Sequence, residues 1–160
     1  MSKSANDLAS EVETTMGDSW LPRIYGERIL KMRTRQYEFP PLPKRANPRI
    51  HHTLLGIELK VGRQRMLCPD LATARYLAVF ARLGAKAIAI PYDITRISQI
   101  ADELESSWHR MFLVVDQLSR DEGVRARTQR TLVTRVRDEI GIAGAGARVP
   151  EFARSTKQRR

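Results

Sequence analysis

A single cysteine, Cys68, stands among 160 residues. One thiol closes no internal disulfide and supplies no multi-cysteine zinc cluster, which suits a reducing compartment. No apolar run approaches the ~18 residues of a membrane span, and the N-terminus carries neither an apolar signal core nor an Arg-rich amphipathic pattern. These absences lead us to expect a soluble protein of the cytoplasm or nucleoid. Acidic residues are scarce: 18 Asp and Glu face 28 Lys and Arg, for a formal charge of +10. Such an excess disfavours a neutral metabolic enzyme and favours a polyanionic partner. A membrane surface fits less well than nucleic acid, because no helical pattern sets cations on one face and large apolar groups on the other. Gly141, Gly144 and Gly146 make no phosphate loop, since no Lys-Ser/Thr follows them. The histidines make no zinc set either, with His109 far from the His51-His52 pair and no cysteine at motif spacing.

The cations are unevenly spread. Residues 23 to 50 hold eight basic residues against two acidic, and residues 119 to 160 hold eleven against five. Residues 51 to 118 are nearly balanced at eight to seven. A polyanion would therefore meet two basic flanks around a neutral core.

Within that core, Gly56-Ile57-Glu58-Leu59-Lys60-Val61-Gly62 alternates as a strand does. Glu58 and Lys60 point one way and Leu55, Ile57, Leu59 and Val61 the other. The same alternation carried upstream puts His52 on the Glu58 face. A carboxylate two residues before an ammonium can hold a divalent cation while the Lys steadies a water or a developing phosphate charge. The pair is also what a solvated strand face carries. Downstream, Asp70 caps and Gly84 stops a helix whose stripe runs Leu71, Ala74, Leu77, Phe80 and Ala81. Lys86 to Ile90 then reads as a buried strand closed by Pro91.

Upstream, Ser4 to Met16 reads as a helix, and Tyr25 to Phe39 as an extended segment with Lys31, Arg33 and Arg35 on one face. That spacing follows a phosphate backbone and equally guards an exposed edge. Pro40 to Pro43 breaks regular structure, and a basic loop continues through Lys44, Arg45 and Arg49. Ile97, Ile100, Leu104, Trp108, Met111 and Val115 predict one helix over 94 to 118, whose second half packs internally or against another chain, a second copy or a partner. Val124 to Ile140 predicts a last helix bearing Arg125, Arg127 and Arg130. The glycines after it read as a Gly/Ala linker, 141 to 160, ending in a basic disordered tail.

The order of the IELK strand, basic turn, Cys68-Pro69-Asp70 triplet, helix and strand resembles the core of the PD-(D/E)xK nuclease superfamily. It is most similar to archaeal Holliday-junction resolvases and VRR-NUC domains, over roughly Ile50 to Leu104. The resemblance implies a restriction-endonuclease-like α/β domain over 1 to 140: a small mixed sheet, flanking helices and extra C-terminal helices. It implies a magnesium-dependent endonuclease acting on structured DNA, with Glu58 as a metal ligand, Lys60 as the catalytic cation, and Glu38 or Glu11 (or Glu13) completing the site. It also exposes a gap. The family's upstream Asp is missing, since no Asp occurs between Asp18 and Asp70. The alternative is a non-catalytic nucleic-acid-binding subunit of a nucleoprotein or RNA-protein assembly. Either way DNA is preferred to RNA as partner, and Lys31, Arg33, Arg35, Lys44, Arg45, Arg49, Arg63, Arg65, Arg125, Arg127 and Arg130 are the candidate contacts.

Overall fold

Helix α1 (Ala5–Met16) starts where Ser4 and Asp7 form a reciprocal cap. The Ser4 hydroxyl accepts from the Asp7 N–H, and the Asp7 carboxylate accepts from the Ser4 N–H. Each satisfies an amide that the first turn leaves unpaired. Leu8, Ala9, Val12 and Met16 form its buried stripe. The computed structural model describes residues 3–43 and 47–146. Lys44, Arg45 and the basic tail from Arg148 onward lie outside the described residues.

After a short 3-10 turn, α2 (Leu21–Ile24) runs into a π-helical turn over Tyr25–Ile29. The extended segment expected from Tyr25 is thus helical at its start, because Tyr25 and Ile29 are both buried and a helical turn delivers them to the same core. Only Thr34–Glu38 forms a strand, β1. Lys31 lies in the preceding turn, so the three cations do not share one strand face.

Strands β2 (Arg49–Thr53), β3 (Gly56–Val61) and β4 (Gln64–Cys68) form an antiparallel meander. Helix α3 (Leu71–Leu83) packs on one side of it and leads to β5 (Ala87–Pro91). The cap and stop of α3 are those expected. Asp70 accepts from the Thr73 N–H at 2.7 Å, and Gly84 sits at φ 82°, a left-handed conformation that costs glycine little. Strand β5 pairs antiparallel with β1, not with the meander.

The α/β class holds, but the sheet differs from expectation. Two antiparallel sheets replace the single mixed one, and no parallel pair occurs among the described residues. Two tyrosines give a physical reason. At the middle of β5, the Ala89 N–H donates to the Tyr25 hydroxyl at 3.0 Å, and the Ala89 carbonyl accepts from the Tyr76 hydroxyl at 2.5 Å. These are the groups a further strand would use, and they are already bonded. Burial pushes both phenols above their ordinary pKa.

Helix α4 (Ile94–Leu118) covers α3 and buries Ile97, Ile100, Leu104, Trp108, Met111 and Val115 within the chain. Arg75 of α3 ties the pair together by gripping Glu105 and Asp102 of α4, and these carboxylates raise its pKa further. Helix α5 (Glu122–Ala143) buries only Thr128, Leu132, Val136 and Ile140, one residue per turn. It runs through Gly141, beyond the expected end at Ile140. Gly144 and Gly146 are not a loose linker: the Tyr25 hydroxyl donates to the Gly144 carbonyl at 2.5 Å, and Gly146 packs against Thr34 and Ala89.

Candidate nucleic-acid interface

Two tight turns arrange the meander. Gly62 and Arg63 join β3 to β4 as a two-residue loop, with Gly62 at φ 62°, as such hairpins require. A Cβ there would stand 2.5 Å from Pro43, so the proline segment closes down on this turn. Leu54 and Leu55 form the two-residue loop between β2 and β3, braced by Thr53, whose Oγ1 donates to the Gly56 carbonyl and accepts from the Leu55 N–H.

Register then follows. Arg49, Lys60 and Arg65 lie directly across from one another, as do His51, Glu58 and Leu67. Opposed residues share a face, so all six project from the outer side of the meander. Leu59, Val61, Met66 and Cys68 point inward and are buried. The Cys68 thiol is accordingly pushed up in pKa by burial and by Asp70, the environment of an inert core thiol.

Glu58 and Lys60 thus share an outer face, as the alternation predicts. Two details need correction. His51, not His52, stands beside Glu58, because alternation does not carry across a two-residue turn. Leu55 is not on the core face: it sits in the loop and is 85% exposed.

Among the described residues the one charged side chain within 4 Å of the Glu58 carboxylate is a cation. Arg65 lies 3.9 Å away, and His51 and Leu67 flank it across the strands. A second carboxylate would have to come from elsewhere, since Glu58 is the only acid in the three strands. Glu38 lies at the exposed end of β1, on the other sheet, and pairs in register with Ala87. Glu11 accepts from Lys3 at 2.7 Å on α1, and Glu13 faces Arg135 at 3.5 Å. Among the described residues no three Asp, Glu, His or Cys side chains converge to hold a metal ion. The ligand set Glu58, Glu38 and Glu11 is therefore not brought together, and these residues do not fit a magnesium centre, which needs several hard oxygens.

The remaining predicted cations fall into separate places. Arg63 stands exposed in the β3–β4 turn, at the end of the strands that carry Lys60 and Arg65. Lys31 and Arg33 line an open hollow of about 530 Å³ with Tyr92 and Arg96, and the Arg33 guanidinium lies 4.9 Å from the Tyr92 ring centre. Arg35 projects from β1 opposite Ile90. Arg127 and Arg130 line a shallow hollow of about 590 Å³ against α1, beside Asp138 and Glu139. Arg125 is engaged with Asp116 at 3.6 Å. Among the described residues, Arg49 and Arg65 are the predicted cations that stand opposite Lys60 on the outer face.

Three leucines of the meander were not foreseen as surface residues. Leu54 and Leu55 are fully or nearly fully exposed, and Leu67, at 65%, lies over Gly56 on the outer face. The signal was present: Leu54-Leu55 occupies a hairpin loop where Gly, Asn or Asp is usual. The outer face is therefore cationic toward the Arg63 turn and apolar toward the Leu54-Leu55 turn. No family model, no curated protein and no solved structure matches the chain.

Proposed function

We propose that this protein is a non-catalytic nucleic-acid-binding module whose contact surface is the outer face of the β2–β3–β4 sheet. The observation that carries the reading is the cross-strand row Arg49, Lys60 and Arg65. Three cations and one carboxylate on the outer sheet face, with Arg63 exposed in the adjoining turn, form a surface for phosphates, because each ammonium or guanidinium that replaces a condensed counterion gains the entropy of its release. On this reading β3, α3 and β5 follow one another in the chain order of a restriction-endonuclease-like scaffold, although β5 pairs with β1 and not within the sheet of β3. The position that would hold metal is occupied by an ion pair. A nucleic-acid partner also suits the nucleoid or cytoplasm, as the solitary thiol does.

The test is fluorescence anisotropy on labelled duplex and single-stranded oligonucleotides, with a parallel cleavage assay in magnesium and in manganese. Binding that weakens steeply as salt rises, is reduced in the Lys60→Ala/Arg65→Ala variant, and occurs without strand scission is the expected result. Metal-dependent cleavage abolished by Glu58→Ala would restore the nuclease reading. Absence of binding at low salt would remove both.

A further inference from the structure

We infer that the β3–β4 ribbon enters the major groove of B-form duplex DNA, with β2 and the Arg63 turn against the phosphates at its rim. The inference rests on the nucleic-acid-binding reading above and adds the form of the nucleic acid and the groove. Dimensions carry it. Two paired strands lie ~4.8 Å apart, and with their side chains they fill a groove ~12 Å wide while overfilling one of ~6 Å. The major groove of A-form RNA is too narrow and deep for such a ribbon. Residues two apart on a strand are separated by ~6.6–6.8 Å, the rise of two base pairs at ~3.4 Å each. The outer pairs Glu58 with Lys60 and Leu67 with Arg65 are each spaced in this way along their strands.

Chemistry agrees with the dimensions. Arg65 and Lys60 are donors for guanine O6 and N7, Glu58 is an acceptor for the cytosine amino group, and Leu67 is an apolar contact for a thymine methyl. These groups read base edges that only the major groove displays in full. A surface meant only for phosphates would gain nothing from an exposed leucine and a carboxylate at its centre. Arg49, on β2 one strand spacing from Lys60, and Arg63, in the turn beyond the strand ends, supply sequence-independent phosphate contacts.

The experiment uses the full chain and one 20-base-pair sequence prepared four ways: plain DNA duplex, DNA duplex with glucosylated hydroxymethylcytosines that fill the major groove, RNA duplex, and single strand. The plain duplex should bind about ten-fold or more tightly than the glucosylated and RNA duplexes, and netropsin, which fills the minor groove, should not displace the protein. Arg65→Ala and, separately, Leu67→Ala should each weaken plain-duplex binding by about five-fold or more while Arg130→Ala does not, with thermal melts confirming that each variant folds. Equal affinity for plain and glucosylated duplexes, displacement by netropsin, or a preference for RNA or single strands would overturn the groove assignment and leave nucleic-acid binding standing. Binding to no nucleic acid, with Leu55-dependent binding to phosphatidylserine vesicles, would overturn both and give the face to a membrane.

Discussion

Glu58 is the residue on which a nuclease and a binding module part. Among the described residues its one ion-pair partner is the Arg65 guanidinium at 3.9 Å, too far for a hydrogen bond and on a side chain 63% exposed although that of Glu58 is 19% exposed, so the pair adds little to stability. Glu58→Gln should therefore leave the melting temperature within about 4 °C, since a long ion pair with one solvent-exposed partner contributes ~0–1 kcal/mol. It should strengthen low-salt binding to DNA of arbitrary sequence by removing the one negative charge among these cations, while weakening any preference for a cytosine that the carboxylate reads. Anisotropy and a thermal melt measure both; weaker binding to every sequence would show that the carboxylate orients Arg65.

At Ala89, two phenol hydroxyls hold a buried backbone unit. Tyr76→Phe would strand the Ala89 carbonyl inside the core, a loss of about 1–3 kcal/mol that a denaturant titration would show. The pH dependence has a definite sign. Burial raises the pKa of Tyr25 and Tyr76 above 10, so the fold favours the protonated phenol. Their contribution is complete below the unfolded value near 10 and is lost as pH rises through the folded values. Alkaline unfolding should thus be accompanied by tyrosinate absorbance from these two residues, and tyrosinate appearing well before loss of circular dichroism would contradict it. No local pattern signals this role, because both partners are backbone groups distant along the chain.

Elements were more legible than their partnerships. Helix α3 was readable from Asp70, its apolar stripe and Gly84, and α4 from its regular apolar repeat, since caps and periodicity are local. The alternation of β3 was readable for the same reason. Its neighbours were not, because register passes through turns whose length decides which side chains meet. Two-residue loops at Leu54-Leu55 and Gly62-Arg63 set His51 beside Glu58 and Arg65 beside Lys60. The short run Met66-Leu67-Cys68 belongs to a third strand of the meander, although only its alternate residues are buried. The same local logic gives two stability predictions. Leu59→Ala, at a fully buried site, should cost about 2–5 kcal/mol. Gly84→Ala should cost about 1–2 kcal/mol through its left-handed backbone, since the Arg137 side chain that a Cβ would meet can move aside. A Gly84→Ala variant as stable as the parent by denaturant titration would show that the α3 end relaxes.

For the whole molecule, the basic surplus was visible from composition, but its division was not. Of the cations foreseen, the outer sheet face gathers Arg49, Lys60 and Arg65 with Arg63 in the adjoining turn, while Lys31 and Arg33 line a hollow near the start of α4 and Arg127 and Arg130 another along α5. The last thirteen residues add five basic side chains against one acid. Deleting residues 148–160 should weaken DNA binding and flatten the dependence of log affinity on log salt by up to about four, one per net charge removed. An unchanged slope in a salt titration would confine the contact to the folded part.

The tyrosine clasp on β5 also sets a clock. The Ala89 amide hydrogen points into a buried hydroxyl whose own hydrogen is given to Gly144, at the end of α5. Solvent deuterons can reach that amide only when the π-helical turn, β5 and the Gly144 segment that follows α5 separate together. Exchange at this one position therefore times the opening of the whole molecule, and a ligand bound on the distant sheet would slow it only by making that opening rarer.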